Sequence, residues 1–300
     1  MNSRIRRKFV TTVLSLCALF IHVGCGKKNA PEPSMTAGHA VIGASDAVFR
    51  LAWKLSAAFQ AGYPAAFIDI VRNDDRSLVD SLLNERAEEI FLDRALAKPE
   101  SLAFAQAKLK LYVYPVAYYP VFLLVRKENP VVVIDSAHVR GALTGTLRNW
   151  RDLGGSDLPL TAYIPPVGDG AFQSISVYFG RLDSVNARVC STAAQMLALS
   201  RDDEGALLIY ALPVDTLPSF KRLNFEHNDD EIPANVQTII EEPIYPFRLN
   251  ITYITTHNKA DVAAGYLTFA VGNVGQREVM RMGYRPAAVP VRIVRMKQPQ

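Results

Sequence analysis

The stretch Tyr163–Gly180 reads YIPPVGDGAFQSISVYFG. Gly168-Asp169-Gly170 stands directly before an apolar pattern of helical spacing. A glycine turn feeding a helix N-terminus is a ready place for an anion, because the first N–H groups lack partners inside the helix and its dipole favours negative charge. Here the turn carries an anion of its own, Asp169. Acids recur at Ser45-Asp46, Asn73-Asp74-Asp75 and Asp93-Arg94. At each place two readings stay open. An aspartate can cap a helix by accepting its free N–H groups, which suits Asp46, Asp75 and Asp169, or it can meet a ligand. Ser45 is equally a cap or a contact, and Asp93 can pair with Arg94 or with a residue across a cleft. The candidate ligand contacts are Ser45, Asp46, Asn73, Asp74, Asp93, Arg94, Gly168, Asp169 and Gly170. Arg94 is the best single candidate for holding an anion, through its forked guanidinium.

Catalytic chemistry finds little support. There is no Gly-x-Ser-x-Gly elbow and no complete Gly-x-x-x-x-Gly-Lys loop. The five histidines are scattered, with none four residues from another, so zinc spacing is missing and no metal or cofactor is expected. Cys190 stands alone beyond the N-terminal segment and is expected as a small buried apolar side chain.

The elements that must position these residues alternate between strand and helix. AVIGAS is a short apolar strand, followed by Val48, Leu51, Ala52, Leu55, Ala58 and Phe59 at helical spacing. AAFIDIV and AEEIFLD are further strands, with a helix through Leu78, Val79, Leu82 and Leu83 between them. Another helix is expected over Pro99–Lys108. Residues 109–125 are rich in β-branched and aromatic side chains and too long for one strand, so a break near Pro115 or Pro120 is expected. Short helices at 136–143 and 192–200, strands LTAYI and GALLIYAL, a hairpin-rich stretch, a second long strand in YPFRLNITYITT and a helix pair broken at Gly272 complete the pattern. This alternation gives an α/β fold.

The N-terminus has a different character. Arg4, Arg6, Arg7 and Lys8 precede the mostly apolar run Phe9–Val23, which ends in Val23-Gly24-Cys25. That run reads as a signal rather than a membrane span. Residues 1–24 are expected as a signal peptide that resembles a bacterial lipobox signal, with Cys25 as the lipidated first residue. His22 departs from the usual leucine. Residues 25–40 form a polar tether; the fifteen after the cysteine could reach up to about 50 Å when extended. The whole chain has 33 basic and 29 acidic residues; removing the four basic ones of 1–24 leaves 33 − 4 = 29 against 29. The positive charge belongs to the targeting segment, so nucleic acid is not an expected partner.

Several stretches resemble the phosphate-type solute-binding proteins of ABC transporters. In FLLVRKENPVVVIDSAHVRGALTGTLRNWRDLGG the matching residues are Asn129, Pro130, Gly145, Asn149, Trp150, Leu153, Gly154 and Gly155. YPFRLNITYI resembles the family's return strand, and YLTFAVGNVGQREVMRMGYRPA its closing helix. The resemblance covers nearly the whole mature chain. It implies a type II periplasmic-binding-protein fold: two α/β lobes joined by two crossing strands, with residues 41–118 plus 247–300 as lobe 1 and 119–246 as lobe 2. Together with the lipobox-like signal and the missing catalytic motifs, the expectation is a monomeric binding protein, not an enzyme, lipid-anchored in the cell envelope and facing the periplasm or exterior. It would hold phosphate or another small oxyanion between closing lobes and serve an ABC permease. Gly26 favours the outer membrane where a host has one.

The same resemblance exposes departures. The family's Ser-x-Thr corresponds to Ser45-Asp46-Ala47, its Gly-Ser-Gly to Asn73-Asp74-Asp75, and its third loop to Asp93-Arg94. Where it has an arginine and Gly-Ser-Gly-Thr, this chain has Pro165 or Pro166 and Gly168-Asp169-Gly170-Ala171. A carboxylate about 4 Å from a bound anion costs about 4 kcal/mol at an effective dielectric of 20, about a thousandfold in affinity. The alternative expectation is therefore a degenerate homologue, a surface scaffold or interaction subunit whose cleft is filled by its own side chains.

Overall fold

A computed structural model describes residues 34–180, 184–211, 217–236 and 245–288. The expected signal peptide, the lipidated Cys25 and most of the tether lie outside these residues.

The first half begins β1 (Gly38–Ala44), α1 (Asp46–Gly62), β2 (Ala66–Arg72), α2 (Asp75–Leu83), β3 (Glu89–Leu92), α3 (Lys98–Gln106) and β4 (Tyr112–Pro120). The chain continues through β5 (Phe122–Arg126), β6 (Val133–Asp135), α4 (Ser136–Thr144), a 3-10 turn (Trp150–Leu153), β7 (Thr161–Ile164) and α5 (Gly170–Phe179). Then come β8 (Arg188–Val189), α6 (Ala193–Leu199), β9 (Ala206–Tyr210), β10 (Phe220–Arg222), β11 (Asn224–His227) and β12 (Asp230–Ile232). The end returns through β13 (Arg248–Thr255), α7 (Val262–Val271), α8 (Asn273–Arg281) and β14 (Arg285–Pro286).

Two main sheets define two lobes. One has the order β14-β4-β13-β3-β1-β2, mixing strands from both ends of the chain; the other is β10-β5-β9-β7-β8. A three-stranded sheet, β12-β11-β6, accompanies the second. β1 runs parallel to β2 and β3, whereas β13 is antiparallel to β3 and β4. The parallel strands follow from the helices that cross between them.

The crossing lies at Val121. β4 ends at Pro120, β5 begins at Phe122, and the Val121 N–H donates to the Phe247 carbonyl at 2.9 Å just before β13. The break expected near Pro115 or Pro120 is thus at Pro120. Pro115 stays inside β4, next to a register shift: Thr252 pairs with Pro115 and Ile251 with Ala117, leaving Val116 as the extra residue. A bulge is where a sheet tolerates proline. The return strand is shorter than expected. Tyr245 precedes it, is buried, and donates its hydroxyl to the Val121 carbonyl at 2.6 Å.

Periodicity explains α1. Val48, Leu51, Ala52, Leu55 and Phe59 are all buried against the first sheet. Each large side chain so placed contributes about 1.5–3 kcal/mol relative to exposure. The helix also packs near α8, and the Tyr266 hydroxyl of α7 donates to the Ala52 carbonyl at 2.9 Å. The lobe's helical layer is therefore built from both ends of the chain.

Candidate functional site

The candidate residues gather where three helix starts and one strand end meet. At the start of α1, Ser45 takes the N-cap backbone position and Asp46 is the first helical residue. The expected Asp46 cap is corrected: its carboxylate pairs with Arg72 at 3.1 Å, because residue N1 points outward rather than back over the turn. Both partners are substantially exposed, so the pair adds little stability. Ser45 makes no cap hydrogen bond, and its hydroxyl is buried without a partner among the described residues.

At the start of α2, Asn73 Oδ1 accepts the Asp74 N–H and Asp74 Oδ1 accepts the Ser77 N–H, each at 2.9 Å. Asp74 is therefore the cap, and the Ser77 contact holds its carboxyl below the usual range. The cap expected at Asp75 is corrected too. Asp75 is the first helical residue and lies buried. Burial first, and then the nearby Asp169 charge, push its carboxyl up to about 7.

β3 ends by delivering Asp93 and Arg94 into the interior, with 1% and 4% of their surfaces exposed. The Arg94 fork is taken up by Glu100. Nη1 donates to Oε2 at 2.7 Å and Nη2 to Oε1 at 2.9 Å, while Nη1 also reaches the Ala95 carbonyl at 3.0 Å. Glu100 in turn accepts the Ala97 N–H at the start of α3. Arg94 Nε lies 3.7 Å from Asp75. The arginine expected to face an anion is committed to carboxylates of its own chain.

Asp93 has the opposite surroundings. Neither of its carboxylate oxygens meets a donor among the described residues. Its neighbour is Asp75, with which it can share a proton, and burial followed by the Asp75 charge raise its carboxyl well above the usual range.

From the second lobe comes the turn before α5. Asp169 is its N-cap, as the sequence allowed, and Oδ1 accepts the Ala171 N–H at 2.8 Å. Burial first, and then the Asp93 charge, push this carboxyl up to about 8. Gly168 is exposed on the turn. Gly170 has a structural duty: a Cβ there would lie 2.7 Å from the Asp93 carboxyl carbon. One oxygen each of Asp75, Asp93 and Asp169 lie within 4.8 Å of one another. This grouping is not legible from spacing, because the three aspartates stand 18 and 76 residues apart on three different turns. Asp75 also reads as a cap. The available signal is the acid in each of the turns at Asp46, Asp74-Asp75, Asp93 and Asp169.

Beside this cluster is a cavity of about 60 Å³ between the lobes, lined by Asp46 from one side and by Pro165, Asp169, Ser191, Thr192 and Tyr210 from the other. It has room for a few water-sized groups. Thr192 is already occupied, accepting the Gln195 N–H as the cap of α6. The lobes touch nearby: Gln173 Nε2 donates to the Ala95 carbonyl at 3.3 Å, and the Arg248 N–H to Ser174 Oγ at 2.7 Å.

Two α/β lobes, two crossing strands and helix starts converging on the cleft define the type II periplasmic-binding-protein fold. The chain belongs to the PBP superfamily domain family, whose model matches residues 29–274. Solved structures agree on the fold. A candidate phosphate ABC transporter substrate-binding protein from Clostridium perfringens, solved with phosphate bound, is 18% identical with a TM-score of 0.74, over 84% of this chain and all of that one. An ABC-type phosphate transport receptor from Vibrio cholerae is 17% identical with a TM-score of 0.67, over 83% of this chain and all of that one. PstS from Borrelia burgdorferi is 14% identical with a TM-score of 0.56, over 83% and 98%. No curated protein matches the sequence.

Proposed function

We propose that this chain is a lipid-anchored, extracytoplasmic solute-binding protein, a binder rather than an enzyme, that holds a small solute between its lobes for an ABC permease and has a cleft remodelled against free inorganic phosphate. The phosphate named for the structural relatives makes an oxyanion the starting expectation for the solute. The observation that carries the departure is the meeting of Asp75, Asp93 and Asp169. Where helix starts would present bare N–H groups to an anion, this chain presents carboxylates, and Arg94 is occupied by Glu100. A single ionised carboxylate about 4 Å from the anion costs about 4 kcal/mol at an effective dielectric of 20.

Calorimetric titration with phosphate at pH 6 and pH 8 tests the reading. Absence of saturable binding at pH 8 is expected; micromolar binding there would overturn the remodelled cleft. Anchoring is tested separately. Cys25→Ser should abolish lipid labelling and release the protein from membranes, and retention of both would exclude a lipoprotein.

A second reading, a surface scaffold or interaction subunit, is favoured by one observation: Arg94 and Asp46 are paired within the chain and the cavity is small. Failure of every small solute in a thermal-shift panel would select it over transport.

A further inference from the structure

We propose that Asp75, Asp93 and Asp169 form an oxygen-donor site for a divalent cation, Ca²⁺ before Mg²⁺, that ties the two lobes together at the base of the cleft. This rests on reading the cleft between the lobes as the working site, and names what its carboxylates take.

Geometry comes first. One oxygen from each residue lies within 4.8 Å of the other two. Ca²⁺ binds oxygen at about 2.3–2.6 Å, so oxygens on opposite sides of it stand about 4.6–5.2 Å apart; Mg²⁺ at about 2.0–2.1 Å requires about 4.0–4.2 Å. Separations of up to 4.8 Å are within reach of either ion, and the preference for Ca²⁺ follows from its more flexible shell of oxygen ligands and its readier loss of water. The donors are hard and acceptor-only, the chemistry Ca²⁺ selects.

The second observation is Asp93 itself. It is 1% exposed, and both its oxygens lack donors among the described residues. Asp75 Oδ1 is buried without one as well. A buried carboxylate without a partner is costly and calls for a counter-charge. Gly170 leaves the space beside Asp93 free of any side chain, and Asp93 occupies it. The nearby cations supply only part of the charge: Arg94 has its fork held by Glu100 at 2.7 Å and 2.9 Å and only its Nε, 3.7 Å from Asp75, toward the three carboxylates, and Arg72 is held by Asp46 at 3.1 Å. Asp75, Asp93 and Asp169 come from α2, the end of β3 and the cap of α5. A cation bound by all three therefore bridges the lobes. Water or solute oxygens would complete its shell.

The test uses full-length detergent-solubilised protein stripped with EDTA. Its melting temperature is followed during titration with CaCl₂ or MgCl₂ at pH 7.5, with Tb³⁺ luminescence as a direct probe of the site. Saturable stabilisation by Ca²⁺, weaker with Mg²⁺, and a Tb³⁺ signal displaced by Ca²⁺ are expected. Asp93→Asn and Asp169→Asn should each fold and lose both responses. If Ca²⁺ gives no saturable shift up to millimolar levels, or acts equally on Asp93→Asn, the cluster is held by protons and the inference fails. The phosphate titration and the solute panel without added cation are read separately, so a lost Ca²⁺ response leaves the solute-binding reading standing.

Discussion

Two turns of the second lobe have similar local chemistry and opposite fates. In Asn149–Gly155, Asn149 caps the 3-10 turn, with Oδ1 accepting the Arg151 N–H at 2.9 Å and Nδ2 donating to Asp157 at 2.8 Å. Trp150 is fully buried and its indole N–H donates to the Gly205 carbonyl at 2.9 Å. Gly154 ends the turn at φ 74°, where a left-handed backbone favours glycine. In Pro165–Ala171, Asp169 also caps its helix. Yet this turn faces Asp93 and Asp75 from the other lobe, and Asp93 meets no donor among the described residues. The first turn is closed by groups near in sequence or by backbone. The second is left with charge that only a distant partner, a proton or a cation, can balance. Local capping thus says nothing about whether a turn is structural or a place for a ligand.

The largest effect should come from the closed turn. Trp150→Ala removes a buried indole and its hydrogen bond, and should cost about 3–5 kcal/mol in chemical denaturation, without altering any pH dependence traced to the carboxylates. A changed pH profile would mean the two turns are coupled.

The open turn should show itself through pH. In the folded state Asp75 and Asp169 titrate at about 7 and about 8, and Asp93 well above its usual range; their ordinary value is 3.8. Between these limits the folded chain holds protons that the unfolded chain has released. Their contribution to stability is therefore full below about pH 4 and is lost as pH rises toward 8. The surrounding charges are Asp46, Arg72, Arg94 and Glu100, of which Glu100 is shifted in the opposite direction. Asp93→Asn should raise stability at pH 8 by about 1–3 kcal/mol and leave pH 4 nearly unchanged. Thermal melts across this range in EDTA decide the matter: a profile as steep as that of wild type would place the titrating charge elsewhere.

The smallest contrast lies within the open turn. Gly170→Ala drives a methyl into Asp93 and should cost about 1–3 kcal/mol. Gly168→Ala meets nothing within 4 Å and should change stability by less than about 0.5 kcal/mol. Equal effects in denaturant melts would show that Asp93 can swing away.

Much of the architecture was legible in order. The spacing of Val48, Leu51, Leu55 and Phe59 marked α1, and the break near Pro120 and the Gly272 break both appear in the fold. The acids at the strand-to-helix turns were equally visible. Their roles were not. Turn chemistry allows a cap at Ser45 or Asp46 and at Asp75, whereas Ser45 and Asp74 hold the cap positions. A one-residue offset at a helix start turns a side chain from the helix's own N–H groups toward whatever lies outside.

Sequence by itself thus determined the elements, the lobed fold and the presence of an acid at each cleft turn, because periodicity and turn chemistry act over a few residues. Only the tertiary structure decided that Glu100 would take the Arg94 fork and that Asp75, Asp93 and Asp169 would share one small volume. Those outcomes depend on how two lobes bring distant turns together. Burial there converts ordinary surface acids into groups that must share a charge.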